Sequence, residues 1–149
     1  MVDVQDKPVS ARVAIARALL RMSVATRDSI MAGTLDKGEA LAAARTAGML
    51  AAKRTDELIP LCHPLGLSFV GIEFLPTEDG ISIEAQARCR GQTGIEMEAL
   101  CAASMAGLTL YDMAKARERG MILDSVRLVY KAGGKTGTWK REGETDLPP

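Results

Sequence analysis

Apolar and polar positions along the chain follow two periods, and the order of those periods predicts a fold. Residues 10–22, SARVAIARALLRM, alternate at Val13, Ile15 and Leu19 as a strand does, although their alanines also suit a helix. A helical turn is expected near residues 24–33. Residues 38–57 read as a helix, with Leu41, Arg45, Gly48 and Ala52 along one ridge, and Pro60 ends that pattern. Residues 66–75 alternate through Leu67, Phe69 and Gly71 on one face and Val70, Ile72 and Phe74 on the other. The turn at residues 77–80 leads into ISIEAQARC, with Ile81, Ile83, Ala85 and Ala87 on one face, so these two strands are expected to form a hairpin.

The plainest helix comes next. Thr93 and Glu96 fit the capping box T-x-x-E, in which each side chain satisfies a free amide at the helix start. Ile95, Ala99, Ala102, Ala106 and Leu110 then recur at helical spacing, and Gly107 with the alanines makes that face small. This helix is expected to stop near Gly120, and MILDSVRLVYK then reads as a final strand. The order strand–helix–strand–strand–helix–strand predicts an α+β fold of the ferredoxin-like kind, a βαββαβ antiparallel sheet packed against helices.

Composition narrows the function classes. The chain has 149 residues, 47% apolar and 26% charged, with a formal net charge of zero, as ordinary globular domains have. Aromatics are only 3%, so stacking platforms are scarce, and no overall basic excess favours nucleic acid. No run is long enough to span a bilayer, and no leader pattern opens the chain. The three cysteines, Cys62, Cys89 and Cys101, lack CxxC spacing, and a reduced, cytoplasmic setting is expected. One domain over residues 1–141 is expected, followed by a flexible acidic tail over 142–149. Charge is unevenly spread: residues 113–141 carry eight Lys/Arg against Glu118 and Asp124, a net of +6. Such a segment is either a solvated face or a pocket for a small anion.

Several groups could carry chemistry. The only histidine, His63, follows Cys62 and lies between Pro60 and Pro64, which stiffen the loop. Zinc would need three or four ligands at recognisable spacing, and neither HxxxH nor CxxC is present; Leu65 stands where a deaminase pattern needs glutamate. The alternatives for His63 are core packing and a ligand contact. KAGGKTG, residues 131–137, is not a Walker A loop, because Val129 occupies the position of its first glycine. Its glycines and lysines read equally as an anion site or as a plain turn. Asp112 and Lys115 are three apart and share a helix face, as an exposed ion pair or a proton-handling pair. Glu98, unlike Glu96, has no capping role. Fourteen residues, roughly 21 Å of helix, separate Glu98 from Asp112, so both cannot touch one reacting atom from a single helix.

AAKRTDELIPLCHPL, GIEMEAL, TLYDMAKA and KAGGKTG, in this order and spacing, resemble the MoaC family of molybdenum cofactor biosynthesis. The likeness runs from the opening MVDV to about residue 141. It implies an enzyme, a lyase that converts (8S)-3′,8-cyclo-7,8-dihydroguanosine 5′-triphosphate to cyclic pyranopterin monophosphate and releases pyrophosphate. It further implies that Asp112 and Lys115 are catalytic and that Leu61, Cys62, His63, Met97 and Glu98 contact substrate. Arg12, Lys37, Lys53, Glu96 and Lys131 match further pocket positions. No resident metal or other cofactor is implied, although Mg2+ could accompany the triphosphate. The resemblance implies a homohexamer, a trimer of dimers with sites at dimer interfaces, and neither nucleic acid nor membrane as partner. Members of that family often have histidine just before Lys-Gly in the second motif, where this chain has Asp36. The competing readings are a non-catalytic nucleotide-binding module on the same fold and a metal-dependent hydrolase.

Overall fold

A computed structural model describes residues 1–148. Along the chain run β1 (Ser10–Arg21), α1 (Val24–Met31), α2 (Ala40–Lys53), α3 (Thr55–Leu58), β2 (Leu67–Thr77), β3 (Gly80–Gly91), α4 (Glu96–Ala114), β4 (Ile122–Ala132) and β5 (Trp139–Lys140). The strands form one antiparallel sheet in the order β2-β3-β1-β4-β5. Its first four strands have the ferredoxin-like arrangement expected from the sequence. The two-residue β5 adds an edge too short to leave a periodic signal.

The register explains why the helices lie close to the sheet. Ala14 pairs with Ala87, Ala16 with Ala85 and Ala18 with Ile83, and all six are buried. This alanine floor, rather than Val13, Ile15 and Leu19, is the face of β1 that meets the helices. Neighbouring side chains on a strand point to opposite faces, and only small ones let a helix backbone approach. Ile15 packs instead in a smaller cluster with Val129 and Tyr130.

Two glycines set the approach of the helices. A Cβ at Gly107 in α4 would stand 2.5 Å from Leu123 Cδ1. One at Gly48 in α2 would stand 2.8 Å from the Ala102 carbonyl oxygen of α4. Lys37, just before α2, reaches Asp112 near the end of α4, so the two helices run antiparallel.

Three boundaries differ from the sequence expectation. α4 begins at Glu96 with Ile95 as its N-cap, and no side chain caps it, so the Thr93–Glu96 capping box does not form. Glu96 sits in the first turn and its side chain curls back over Gly94, where a Cβ would meet Glu96 Cδ at 2.6 Å. The helix ends at Ala114, short of Gly120, and Tyr111 Oη donates to the Arg119 carbonyl at 2.8 Å across the turn that follows. Finally, Glu144, in the segment expected to be a flexible tail, bridges Arg17 at 3.0 Å and Arg127 at 2.5 Å. Leu147 packs on the Ile15 cluster. Among the described residues no helix is long and apolar enough to cross a membrane.

Candidate active site

Two adjoining cavities lie at the start of α4. The smaller, about 170 Å³, is lined by Leu61, Cys62, His63, Met97, Glu98 and Glu96, among others. The stretch between α3 and β2 supplies the first three. It is set by a turn in which Cys62 N donates to the Ile59 carbonyl at 3.0 Å, with Pro60 and Pro64 restricting the backbone. Among the described residues nothing hydrogen-bonds to the His63 side chain, and its ring borders the cavity rather than filling the core. No three of His, Cys, Asp and Glu converge as a metal-holding group among the described residues.

Glu98 is the unusual group here, a carboxylic acid with 4% exposure on an otherwise apolar helix face. Burial raises its pKa to about 7, so near neutrality it exists in both protonation states. Burial also raises the thiols of Cys62 and Cys101, and the Glu98 carboxylate raises them further. These thiols are therefore kept protonated and are poor nucleophiles.

The larger cavity, about 930 Å³, shares Thr93, Gly94 and Glu96 with the smaller one. Four cations line it: Lys7 ahead of β1, Arg12 on β1, Lys131 at the end of β4 and Lys135 in the glycine loop. None of the four forms an ion pair with a described residue. Arg12 is oriented by donating from Nε to the Gly91 carbonyl at 2.9 Å. The glycine loop folds down onto it: Gly134 has φ +73° and lies over the guanidinium, where a Cβ would come within 3.0 Å of Arg12 Cζ. Lys131 Nζ donates to the Thr136 hydroxyl. A concave site with four unneutralised cations can hold a densely charged anion such as a polyphosphate.

A third cluster lies at the other end of α4. Lys115 Nζ stands 2.7 Å from Asp112 Oδ1, and Lys37 Nζ donates to Asp112 Oδ2 and to the Asp112 carbonyl, each at 2.9 Å. Hydrogen bonds from Lys115 and then from Lys37 lower the Asp112 pKa to about 2, although the carboxylate is exposed. Asp112 is thus a fixed anion between two ammonium groups.

The residues singled out from sequence therefore fall into three places. Leu61, Cys62, His63, Glu96, Met97 and Glu98 come together, and Arg12 and Lys131 adjoin them across Glu96. Asp112, Lys115 and Lys37 form their own cluster about four helical turns away. Lys53, the last residue of α2, is exposed and borders neither cavity. Sequence reasoning passed over Lys7 and Gln92 as cavity residues. Lys135 lies beside Lys131 in the glycine motif, one of the two lysines weighed there as an anion site. Lys7 and Gln92 are 85 positions apart and carry no local signal.

Comparison with known proteins gives the family. A model of the MoaC family matches residues 1–134. The cyclic pyranopterin monophosphate synthase of Novosphingobium aromaticivorans is 54% identical over 140 residues, covering 94% of this chain and 89% of that protein. The synthase of Chloroflexus aggregans is 54% identical over 144 residues, covering 95% of this chain and 87% of its own length. That of Bordetella avium is 53% identical over 144 residues, covering 95% and 89%.

Proposed function

The chain belongs to the MoaC family, and from that premise we propose that it is a cyclic pyranopterin monophosphate synthase. Its substrate is 3′,8-cyclo-7,8-dihydroguanosine 5′-triphosphate and its products are cyclic pyranopterin monophosphate and pyrophosphate. The observation that carries this reading is the adjacency of the two cavities, one with four unneutralised cations and one with His63 and a partly protonated Glu98. The first suits a triphosphate and the second suits a heterocycle that must gain and lose protons.

Forming a cyclic monophosphate from a triphosphate requires a substrate hydroxyl to attack the α-phosphorus. The new P–O bond forms as the bond to the β-phosphate oxygen breaks, and the hydroxyl proton passes to a base. Arg12 and Lys131 stabilise the charge that builds on the departing pyrophosphate. Glu98 exchanges protons during ring opening and closure, and His63 positions the heterocycle. This reading needs no resident cofactor, and any Mg2+ would come with the triphosphate as part of the substrate. The three free cysteines and the anionic substrate support a cytoplasmic setting.

Asp112, Lys115 and Lys37 enter the site from a second copy. Between the two half-sites, α4 presents a half-buried apolar stripe. Met97, Leu100, Cys101 and Met105 line a groove with Leu58 and Ile59, and Leu108 at 52% exposure continues it towards Asp112. Two such stripes packed antiparallel about a two-fold axis would bring each Asp112 cluster to the other copy's cavities. Three such dimers make the hexamer.

The test is pyrophosphate release with product detection from the cyclised dihydro-GTP, using wild type and Asp112→Asn of matched oligomeric state. Product from wild type and a loss of at least about 10³-fold in the variant is expected if Asp112 acts on the transition state. A folded wild type that binds substrate and releases nothing would leave only a nucleotide-binding module.

A further inference from the structure

Two neighbouring residues just past α4 hold α1 by both of its ends. α4 stops at Ala114 and the chain turns, with Arg117 N and Glu118 N donating to the Ala114 carbonyl at 2.9 and 3.2 Å. From that turn Glu118 reaches the start of α1. Its carboxylate accepts from Ser23 N at 3.1 Å and from Ser23 Oγ at 2.7 Å, and Ser23 is the N-cap of α1. Arg117 reaches the other end, donating from Nη1 to Ser29 Oγ at 2.8 Å and from Nη2 to the Thr34 carbonyl at 3.4 Å. A helix favours negative charge at its start and positive charge at its end. α1 has no acidic residue in its first turn and no basic one in its last, so the turn after α4 supplies both.

The consequence lies further along the chain. Residues 32–39, between α1 and α2, belong to no element and carry Lys37. The main-chain bonds of this stretch are local: Thr34 N donates to the Ser29 carbonyl at 3.0 Å, and Gly38 N closes a turn on the Leu35 carbonyl at 2.9 Å. Ile30 and Leu35 are buried, whereas Asp36 and Lys37 stand exposed beyond them. A lysine on its flexible stem, at the tip of such a turn, keeps one place only if the turn itself is held. Among the described residues, two side chains tie the stretch to the end of α4: Arg117 to the Thr34 carbonyl, and Lys37 to Asp112. The first sets where the second can reach.

We propose that Arg117 is a positioning residue for the Asp112 cluster: by gripping the end of α1 and the turn after it, Arg117 delivers Lys37 to Asp112, opposite Lys115. The proposal rests on the synthase reading only for the reaction it serves. Arg117 makes neither a hydrogen bond nor an ion pair with Asp112 or Lys37, so it acts through the turn alone. It is exposed, and exposed polar contacts add little to stability, so its loss should misplace Lys37 without unfolding the protein.

The test is the rate at which a dilute amine-acetylating reagent modifies Lys37, read by peptide mass spectrometry with Lys115 of the same molecule as internal standard. Wild type, Arg117→Met, Ser29→Ala and the double variant are compared as full-length assemblies, alongside pyrophosphate release from the cyclised dihydro-GTP. Ser29→Ala removes the acceptor without changing charge and introduces a good helix former, so it keeps the test open if Arg117→Met folds poorly. Arg117→Met should speed acetylation of Lys37 about fivefold and Ser29→Ala about twofold, as for loss of a charged hydrogen bond and of part of it. The double variant should match Arg117→Met, because both changes break one contact. Lys115 should not speed up. Removing a positive charge would by itself raise the pKa of both lysines and slow both, so faster labelling of Lys37 alone is not a charge effect. Turnover should fall about fivefold at a melting point within about 2 °C of wild type. Unchanged labelling of Lys37 in both single variants overturns the proposal. Equal acceleration of both lysines overturns it too, since that is a general loosening of the helix end. Faster labelling of Lys37 with undiminished turnover leaves Arg117 no part in the reaction and also overturns it. A wild type that forms no product, with Lys37 labelling still governed by Arg117, supports the placement of Lys37 and sinks the synthase.

Discussion

The two ends of α4 each offer a carboxylate, and the chain treats them in opposite ways. Glu98, in the first turn, is buried with no cation beside it, and its pKa rises to about 7. Asp112, near the last turn, is exposed between two ammonium groups, and its pKa falls to about 2. One helix thus carries a group able to exchange protons near neutrality and a group that stays charged. The separation matters because two free carboxylates in one pocket would repel each other and the phosphates. Keeping them four turns apart on one helix lets each be tuned alone. The difference also divides labour: Glu98 suits proton exchange, and Asp112 suits the orientation of its two lysines.

The strongest way to break this comparison is to unseat the helix that both ends depend on. Lys37 reaches Asp112 only because α2 lies against α4 at Gly48, where a Cβ would press on the Ala102 carbonyl. Gly48→Val puts a branched side chain into that backbone contact. We expect a loss of roughly 4 kcal/mol, at the upper end for overpacking, and a melting point lower by roughly 10 °C. Retained stability would mean that the helices can separate without cost.

Next comes the pH dependence at the buried end. The unfolded chain releases the Glu98 proton near 4.5 and the folded chain near 7, so folding takes up a proton between those values. Stability therefore falls as pH rises through that window and stays low above it, by about 3 kcal/mol in all. Chemical denaturation at pH 5 and pH 8.5 should show this drop in wild type and little of it in Glu98→Gln. Equal slopes in the two proteins would place the protonation elsewhere. The exposed end should give a smaller effect of opposite sense. Because the Asp112 pKa is depressed from 3.8 to about 2, its contribution is present above pH 4 and disappears as pH falls through 2. Melting curves of Asp112→Asn should thus track wild type above pH 5, less any loss of the solvent-screened ion pairs, and converge with it further below pH 3.

How much of this was legible follows from what each residue reports locally. The four main strands, α2 and α4 came from periodicity, since Ile81, Ile83, Ala85 and Ala87 or Ala99, Ala102 and Ala106 mark one face by spacing alone. The floor of β1 was misjudged because alanine looks neutral in a pattern where Val13 and Ile15 look decisive. Burial there is set by how closely α4 approaches, which is a tertiary property. Motif resemblance picked out residues at both ends of α4 but could not say that Lys37 belongs with Asp112 while Lys131 belongs with Arg12. That sorting depends on the antiparallel path of α2 and the pairing of β1 with β4. Gln92 was invisible for a simpler reason: its partners are carbonyls of Gln5 and Lys7, and main-chain acceptors leave no mark on a sequence.

The smallest effect expected tests the start of α4 itself. T-x-x-E predicts that Thr93 caps the helix, and loss of such a cap costs about 1 kcal/mol. In the structure Ile95 holds the N-cap position without a side-chain bond, and Thr93 lies instead at the junction of the two cavities. Thr93→Ala should therefore change stability by less than about 0.5 kcal/mol, as for an ordinary surface replacement. Its effect should appear in KM, because the residue borders the path between phosphates and heterocycle. A loss of stability near that of a missing cap, with KM unchanged, would restore the capping box and remove Thr93 from the site.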